Sequence, residues 1–145
     1  MNKVAAGFQK ILVTVLLLII MLTSYGAVST QEKEMMVRIS EIEIVPEYLD
    51  EYKAILKEES AASVKLEPGV IAIFPMYQKE NPNEIRILEI YASREAYESH
   101  LKTLHFQKYK RTTLKMVKSL KLVDMEAIDA EMVTKIFKKQ KKIKK

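Results

Sequence analysis

The chain has 145 residues, which is enough for one small domain with extensions at its ends. Apolar residues make up 48% and charged residues 30%, a balance typical of a globular protein rather than a disordered one. The net charge of +5 does not describe the central part of the chain. Seven lysines lie in the last eleven residues, whereas residues 31–134 carry a net charge of −4. This distribution argues against nucleic-acid binding. The chain has no cysteine, which excludes disulfides, thiolate metal sites and thiol nucleophiles.

Residues 1–29 have the layout of a signal peptide. Lys3 and Lys10 precede an apolar run over residues 11–22, and small and polar residues follow it. That run of twelve residues is short for a membrane-spanning helix, which needs about 20 residues. We therefore predict an exported protein, periplasmic or otherwise extracytoplasmic, with cleavage after Gly26 or Ser29. The alternative is an uncleaved membrane anchor.

The chain then alternates predicted strands and helices up to residue 127. Strands are predicted over 35–45, with a bulge near Ser40, and over 70–78, 85–91 and 120–127. Pro75 places the second strand at a sheet edge or a bulge. A helix opens at Pro46 and ends at Pro68-Gly69, and two helical stretches cover 94–104, capped by Ser93, and 106–117. The order βαββαβ predicts an α+β fold, with a four-stranded antiparallel sheet covered by helices on one face.

The second and third strands are apolar on both of their faces, which indicates that both sides of the sheet are covered. Too few elements remain to cover the second side. We therefore predict a homodimer in which two sheets pack face to face.

The tail, residues 128–145, is rich in lysine. Met132, Val133, Ile136 and Phe137 fit one short amphipathic helix, which would suit weak contact with an anionic membrane. The alternative is a solvated, frayed end.

The two histidines, His100 and His105, are candidate functional residues. His100 falls on the predicted buried face of its helix, where a structural role competes with a catalytic one. A spacing of five residues is poor for two ligands on one helix, and no HExxH pattern is present, so a metal site is not predicted.

Glu89 lies between apolar residues on a strand, and a buried carboxylate needs a partner. One interpretation is an ion pair with Arg86 or Arg38. The other is a carboxylate that orients an imidazole.

Several aromatic residues are expected between the sheet and the broken helix, where they form core or line a pocket for a flat apolar ligand. They include Phe74, Tyr91, Phe106 and Tyr109. No nucleotide or flavin motif is visible.

Three segments together resemble one known family. They are Glu67-Pro68-Gly69, residues 87–100 (ILEIYASREAYESH) and Leu104-His105-Phe106. They are similar to the pattern of the antibiotic biosynthesis monooxygenase (ABM) domain, and the resemblance covers residues 35–127. It implies a ferredoxin-like α+β fold and a homodimer of the dimeric α/β-barrel type.

The resemblance also implies a function. Similar members include small quinol monooxygenases, some of which use no metal, flavin or nicotinamide. The chain would then be an exported, cofactor-independent monooxygenase that oxidises a small aromatic or quinol with O2. His100 would be the base or bind the substrate, Glu89 would orient it, and His105, Phe106 and Tyr91 would shape the pocket. The alternatives are a dimeric ligand-binding module without turnover and an isomerase on the same scaffold.

Overall fold

The computed structural model describes residues 34–143. The predicted α+β order is confirmed, with a 3-10 turn before the first helix. The elements are β1 (Met36–Ile44), the turn (Pro46–Tyr48), α1 (Leu49–Leu66), β2 (Val70–Tyr77), β3 (Glu84–Tyr91), α2 (Arg94–His100), α3 (Leu104–Thr113), β4 (Val117–Met125) and α4 (Met132–Ile143). The predicted signal peptide lies outside the described residues, and export stays a prediction.

The sheet has the order β2-β3-β1-β4, and all of its neighbouring strands are antiparallel. Alternate residues of β1 point to the helices and are buried there. Side chains from both layers form the main core, namely Ile42, Ile44, Tyr52, Leu56, Ile85, Ile87 and Met116. The core therefore lies between the sheet and α1, with α3 packed beside α1.

The first strand differs from its predicted form. It is continuous through Ser40 against β3, and its pairing with β4 shifts only between Glu43 and Ile44. The apolar pattern changes phase because Arg38 and Ser40 occupy helix-facing positions where a core strand would carry apolar residues. Pro75 lies in the edge strand β2, as predicted.

The predicted break between two helical stretches is present, but it lies at residues 101–103 rather than near residue 105, because two capping residues define the helix starts. Ser93 caps α2 by accepting a hydrogen bond from the backbone N–H of Ala96 at 3.3 Å. Thr103 caps α3 by accepting one from the N–H of Phe106 at 3.4 Å. A second N-cap three residues after His100 ends one helix and starts another, so the chain changes direction between the two histidines.

The side of the sheet away from the helices carries an apolar surface, which we call the outer face. Ile39, Leu88 and Val123 are cross-strand neighbours there, and each is only half-buried. Phe74 and Met125 flank them and are 59% and 50% exposed. The apolar pattern is therefore present on both sides of the sheet, whereas the homodimer itself stays a prediction.

The tail forms α4, a longer helix than the sequence indicates. Its apolar residues Met132, Ile136 and Phe137 are exposed, and lysines fill the opposite side. Contact of this helix with an anionic membrane stays a prediction. Within residues 34–143, no helix has the length and hydropathy needed to cross a bilayer.

Candidate functional site

A cavity of about 350 Å³ lies between the helix-facing side of the sheet and the helices α1 and α3. Its wall is mainly apolar, and a few polar groups project into it from β1, β3, α1 and α2. Leu120 and Leu122 of β4 are 57% and 48% exposed at its margin, because no helix covers this edge strand. The cavity therefore opens beside β4 and has the form of a small-ligand site.

His100 ends α2 and forms part of the cavity wall with only 3% of its surface exposed. Its Nδ1 lies 2.9 Å from Oε1 of Glu67, which is hydrogen-bond distance. Its Nε2 lies 3.8 Å from Oε1 of Glu59, which is too long for a hydrogen bond. The Phe106 ring packs against the imidazole, with the ring centres 4.6 Å apart. The imidazole is therefore fixed on its Nδ1 side, while Nε2 faces a second cavity-lining carboxyl.

His105 approaches the same carboxylate oxygen from the first turn of α3. Its Nε2 lies 2.6 Å from Oε1 of Glu67, and its side chain is 22% exposed. The spacing argument against a shared contact assumed that both histidines lie on one helix. They lie on different helices, which meet at the break after His100. One carboxylate oxygen thus joins two imidazoles.

The two glutamates near His100 have opposite electrostatic character. Burial alone would raise the pKa of Glu67, but hydrogen bonds from His100 and His105 outweigh it and lower this pKa below its usual range. Burial raises the pKa of Glu59, although a hydrogen bond from Ser63 at 2.8 Å opposes this effect. The site therefore combines a firmly ionised carboxylate with one that holds its proton more tightly.

Glu89 lies in the cavity wall but does not orient His100. Its two carboxylate oxygens accept hydrogen bonds from the hydroxyls of Ser40 and Tyr91, the latter at 2.8 Å. It forms no ion pair with Arg38, although the two residues are opposite each other across β1 and β3. Arg38 instead binds Asp124 at 2.5 Å. The predicted ion pair and the predicted contact with the imidazole are both corrected, and the carboxylate at His100 is Glu67.

Arg86 was the other predicted partner of Glu89. Its guanidinium binds Glu84 at 2.9 Å, two residues earlier on the same strand. The register explains this, because Arg86 points to the outer face and Glu89 to the helices.

Tyrosine hydroxyls supply the remaining polar contacts of the cavity. The hydroxyls of Tyr52 and Tyr109 are 2.7 Å apart. Burial raises the pKa of Tyr109 to about 12, and burial together with the charge of Glu89 raises that of Tyr91. Both cavity-lining tyrosines therefore stay protonated near neutral pH, but the hydroxyl proton of Tyr91 is already donated to Glu89.

Comparison with known proteins identifies the family. The profile described as "Antibiotic biosynthesis monooxygenase" matches residues 35–112. A crystal structure from Bacteroides thetaiotaomicron, provisionally named an antibiotic biosynthesis monooxygenase, is 50% identical. The match covers 68% of this chain and 93% of that one, with a TM-score of 0.66. The chain belongs to the antibiotic biosynthesis monooxygenase family.

Two further solved structures share the fold. A provisionally named monooxygenase from Lactobacillus acidophilus is 30% identical over 66% of this chain and 45% of its own, with a TM-score of 0.63. A protein from Nitrosomonas europaea, provisionally named an ABM monooxygenase, is 18% identical over 71% of this chain and 98% of its own, also with a TM-score of 0.63. No curated protein matches the chain.

The ABM fold brings together some of the predicted pocket residues and separates others. Tyr91, Phe106 and Tyr109 line the cavity as predicted. His105 does not line the cavity and is linked to it only through Glu67 and then His100. Phe74 is a correction, because its register opposite Leu88 places it on the outer face, away from the cavity.

Sequence reasoning missed Glu59 as part of this ABM site, and it quoted Glu67 only within the family motif, without a role. Glu59 and Ser63 follow Tyr52 and Leu56 on the buried side of that helix, and Glu67 continues the series at its end. Polar residues at helical spacing on an otherwise apolar stripe were the available signal.

Proposed function

We propose that the chain is a cofactor-independent monooxygenase that oxidises a small aromatic or quinol substrate with O2. Membership of the ABM family supports monooxygenase chemistry. The observation that carries the finer proposal is the buried imidazole of His100, which is fixed through Nδ1 and has Nε2 on the cavity side.

The cavity suits a substrate of this class. Its volume of about 350 Å³ lies at the lower end of the range of small-molecule sites, and its wall is mainly apolar. A flat ring can pack between the sheet and Phe106, and Tyr109 can donate a hydrogen bond to one of its oxygen atoms when Tyr52 donates to Tyr109.

The first step of the proposed reaction is removal of a proton from the substrate hydroxyl, which requires a proton acceptor. In the proposed step, the substrate hydroxyl gives its proton to Nε2 of His100, and the Glu67 carboxylate at Nδ1 stabilises the imidazolium that forms. The resulting anion donates an electron to O2 more readily than the neutral quinol does. The apolar cavity holds the anion next to O2 and limits access of water.

The overall reaction balances without an external reductant. One oxygen atom of O2 bonds to a ring carbon and the other leaves as water, while the quinol becomes a hydroxyquinone. The substrate supplies all the electrons that reduce O2.

Oxygen uptake with a panel of hydroquinones, in the presence of a chelator, tests the proposal. His100→Gln should lower kcat by roughly 100-fold or more, because a positioned base contributes about that factor. Product formed under labelled O2 should contain one labelled oxygen atom. Lys102→Gln, an exposed change two residues away, is the matched control and should retain activity.

Full turnover in a folded His100→Gln variant would show that the assigned role is wrong. Thermal stabilisation by a hydroquinone without any oxygen uptake would instead favour a binding module. Conversion of substrate without oxygen would favour an isomerase.

We also propose that the active form is a homodimer joined through the outer face. Apolar side chains such as Ile39, Leu88 and Phe74 occupy part of that face beside charged residues such as Arg86, and no described element of the same chain packs against it. Burial of such a surface against a second copy would remove it from water.

A further inference from the structure

We propose that Glu67, His100 and His105 form a binding site for one divalent transition-metal ion of the zinc type. Oε1 of Glu67, Nδ1 of His100 and Nε2 of His105 all lie within 4.8 Å of one another. Two imidazoles and one carboxylate are a common protein ligand set for such ions, which leaves at least one position for water.

The distances are compatible with an ion after small side-chain adjustments. Oε1 of Glu67 lies 2.9 Å from Nδ1 of His100 and 2.6 Å from Nε2 of His105. In a tetrahedral zinc site with bonds of about 2.0–2.1 Å, neighbouring ligand atoms are roughly 3.3 Å apart. Each contact to the oxygen therefore needs to lengthen by less than about 1 Å, which rotation of the Glu67 side chain can provide.

The surroundings provide the support that metal ligands usually have. Glu59 lies 3.8 Å from Nε2 of His100, on the side of the ring away from the proposed ion, and Ser63 fixes that carboxyl with a hydrogen bond. A carboxylate that accepts a hydrogen bond here orients a metal-bound imidazole, and a shift of about 1 Å would form that bond. His100 and Glu67 are nearly inaccessible, whereas His105 is 22% exposed and gives an ion and its water a way in.

The composition of the chain sharpens this inference. The sequence contains two histidines and no cysteine, and both histidines converge on one carboxylate oxygen. Imidazole-dependent binding of a metal ion by the untagged protein can therefore arise at this place only.

A bound ion would also change His100 as a base, a consequence that rests on the proposed function. A neutral imidazole that coordinates through Nδ1 carries its remaining proton on Nε2. It cannot then accept a proton from a substrate in the cavity. Metal occupancy and proton transfer by His100 therefore exclude each other, and the metal ion is expected to inhibit oxygen uptake.

Calorimetric titration of the chelator-treated, untagged full chain with Zn²⁺ tests the site directly. We expect one Zn²⁺ per chain, and Co²⁺ should produce visible absorption bands on binding. His105→Gln and Glu67→Gln should each weaken the affinity by at least about 10-fold. Glu98→Gln, an exposed carboxylate change on α2, is the matched control and should bind like the unaltered chain. Mg²⁺ should not compete, because it prefers oxygen ligands.

Absence of stoichiometric binding, or equal affinity in a folded His105→Gln variant, would overturn the site. If the variants do not fold, the absence of Co²⁺ bands in the unaltered chain would overturn it as well. Binding is measured without substrate, so a chain that binds Zn²⁺ but consumes no oxygen would refute the proposed function and leave the metal site standing. If the enzyme binds Zn²⁺ and its oxygen uptake is not inhibited, only the claim that metal binding prevents proton transfer by His100 is refuted.

Discussion

Glu59 lies on α1 and Glu67 caps the end of that helix, yet the surroundings of their carboxyl groups differ. Glu67 has two hydrogen-bond partners, His100 at 2.9 Å and His105 at 2.6 Å. Glu59 is buried and accepts one hydrogen bond, from Ser63. Burial costs the charged form of a carboxylate unless its partners compensate for it. At the scale of single residues, the two imidazole partners of Glu67 therefore lower its pKa, while burial raises the pKa of Glu59.

Glu59→Gln is predicted to change how stability depends on pH. Burial raises the folded-state pKa of Glu59 above the ordinary value of 4.5. Its contribution to the free energy of unfolding is therefore most favourable below pH 4.5 and decreases as the pH rises through the raised pKa. Glutamine does not ionise, so the variant does not lose this stability as the pH rises. The difference in Tm, variant minus unaltered chain, should therefore be larger at pH 8 than at pH 4.

Thermal unfolding at a series of pH values measures this difference. Glu58→Gln is the control, because Glu58 is a neighbouring but exposed carboxylate, and its Tm difference should vary little with pH. A Tm difference for Glu59→Gln that is the same at both pH values would contradict the assignment.

Gly69 determines how closely α2 approaches the start of β2. A Cβ atom at Gly69 would lie 2.5 Å from Cβ of Ala96, which is too close for two carbon atoms. The backbone also contributes here, since Gly69 O accepts a hydrogen bond of 2.8 Å from the N–H of Ala92. At the scale of elements, this contact helps to place His100, at the end of α2, beside Glu67 at the end of α1.

Gly69→Ala should therefore destabilise the protein by about 1–3 kcal/mol, the usual cost of overpacking. Ala96→Gly creates the missing space but lowers helix propensity, by at most about 1 kcal/mol. A double-mutant cycle by chemical denaturation should show a favourable coupling between the two changes. Additive effects would mean that the two residues do not clash as described.

The sequence allowed the strands, the helices and the two apolar sides of the sheet to be predicted, because periodicity reports which side of an element is buried. The site was harder to predict, because it depends on three residues between α2 and α3. Residues 101–103 turn the chain so that His105 faces back to His100, and no periodic pattern records such a turn. Glu67 was visible in the sequence as part of a motif, but its partner became apparent only from the fold.

At the scale of the whole molecule, the apolar outer face predicts self-association. Ile39→Asp and Phe74→Asp place charges on that face and should convert a dimer to a monomer, as measured by light scattering. Leu66→Asp is the control, because Leu66 is 64% exposed at the end of α1 and lies on the helical side. Far-UV circular dichroism would show whether each variant is folded. A monomeric unaltered chain at micromolar concentration would refute this prediction.

The two edge strands limit how the sheet can grow. Proline has no N–H to donate, so Pro75 interrupts the free hydrogen-bonding rim of β2. The exposed Lys118 and Lys121 place charge on the edge strand β4, where they pair with Glu43 and Glu41 of β1. Both features discourage a further strand from adding at the rim, which is the route to fibrils and open-ended polymers. In the proposed homodimer, association through the broad side of the sheet would close after two copies, so the apolar residues there would be covered without open-ended growth.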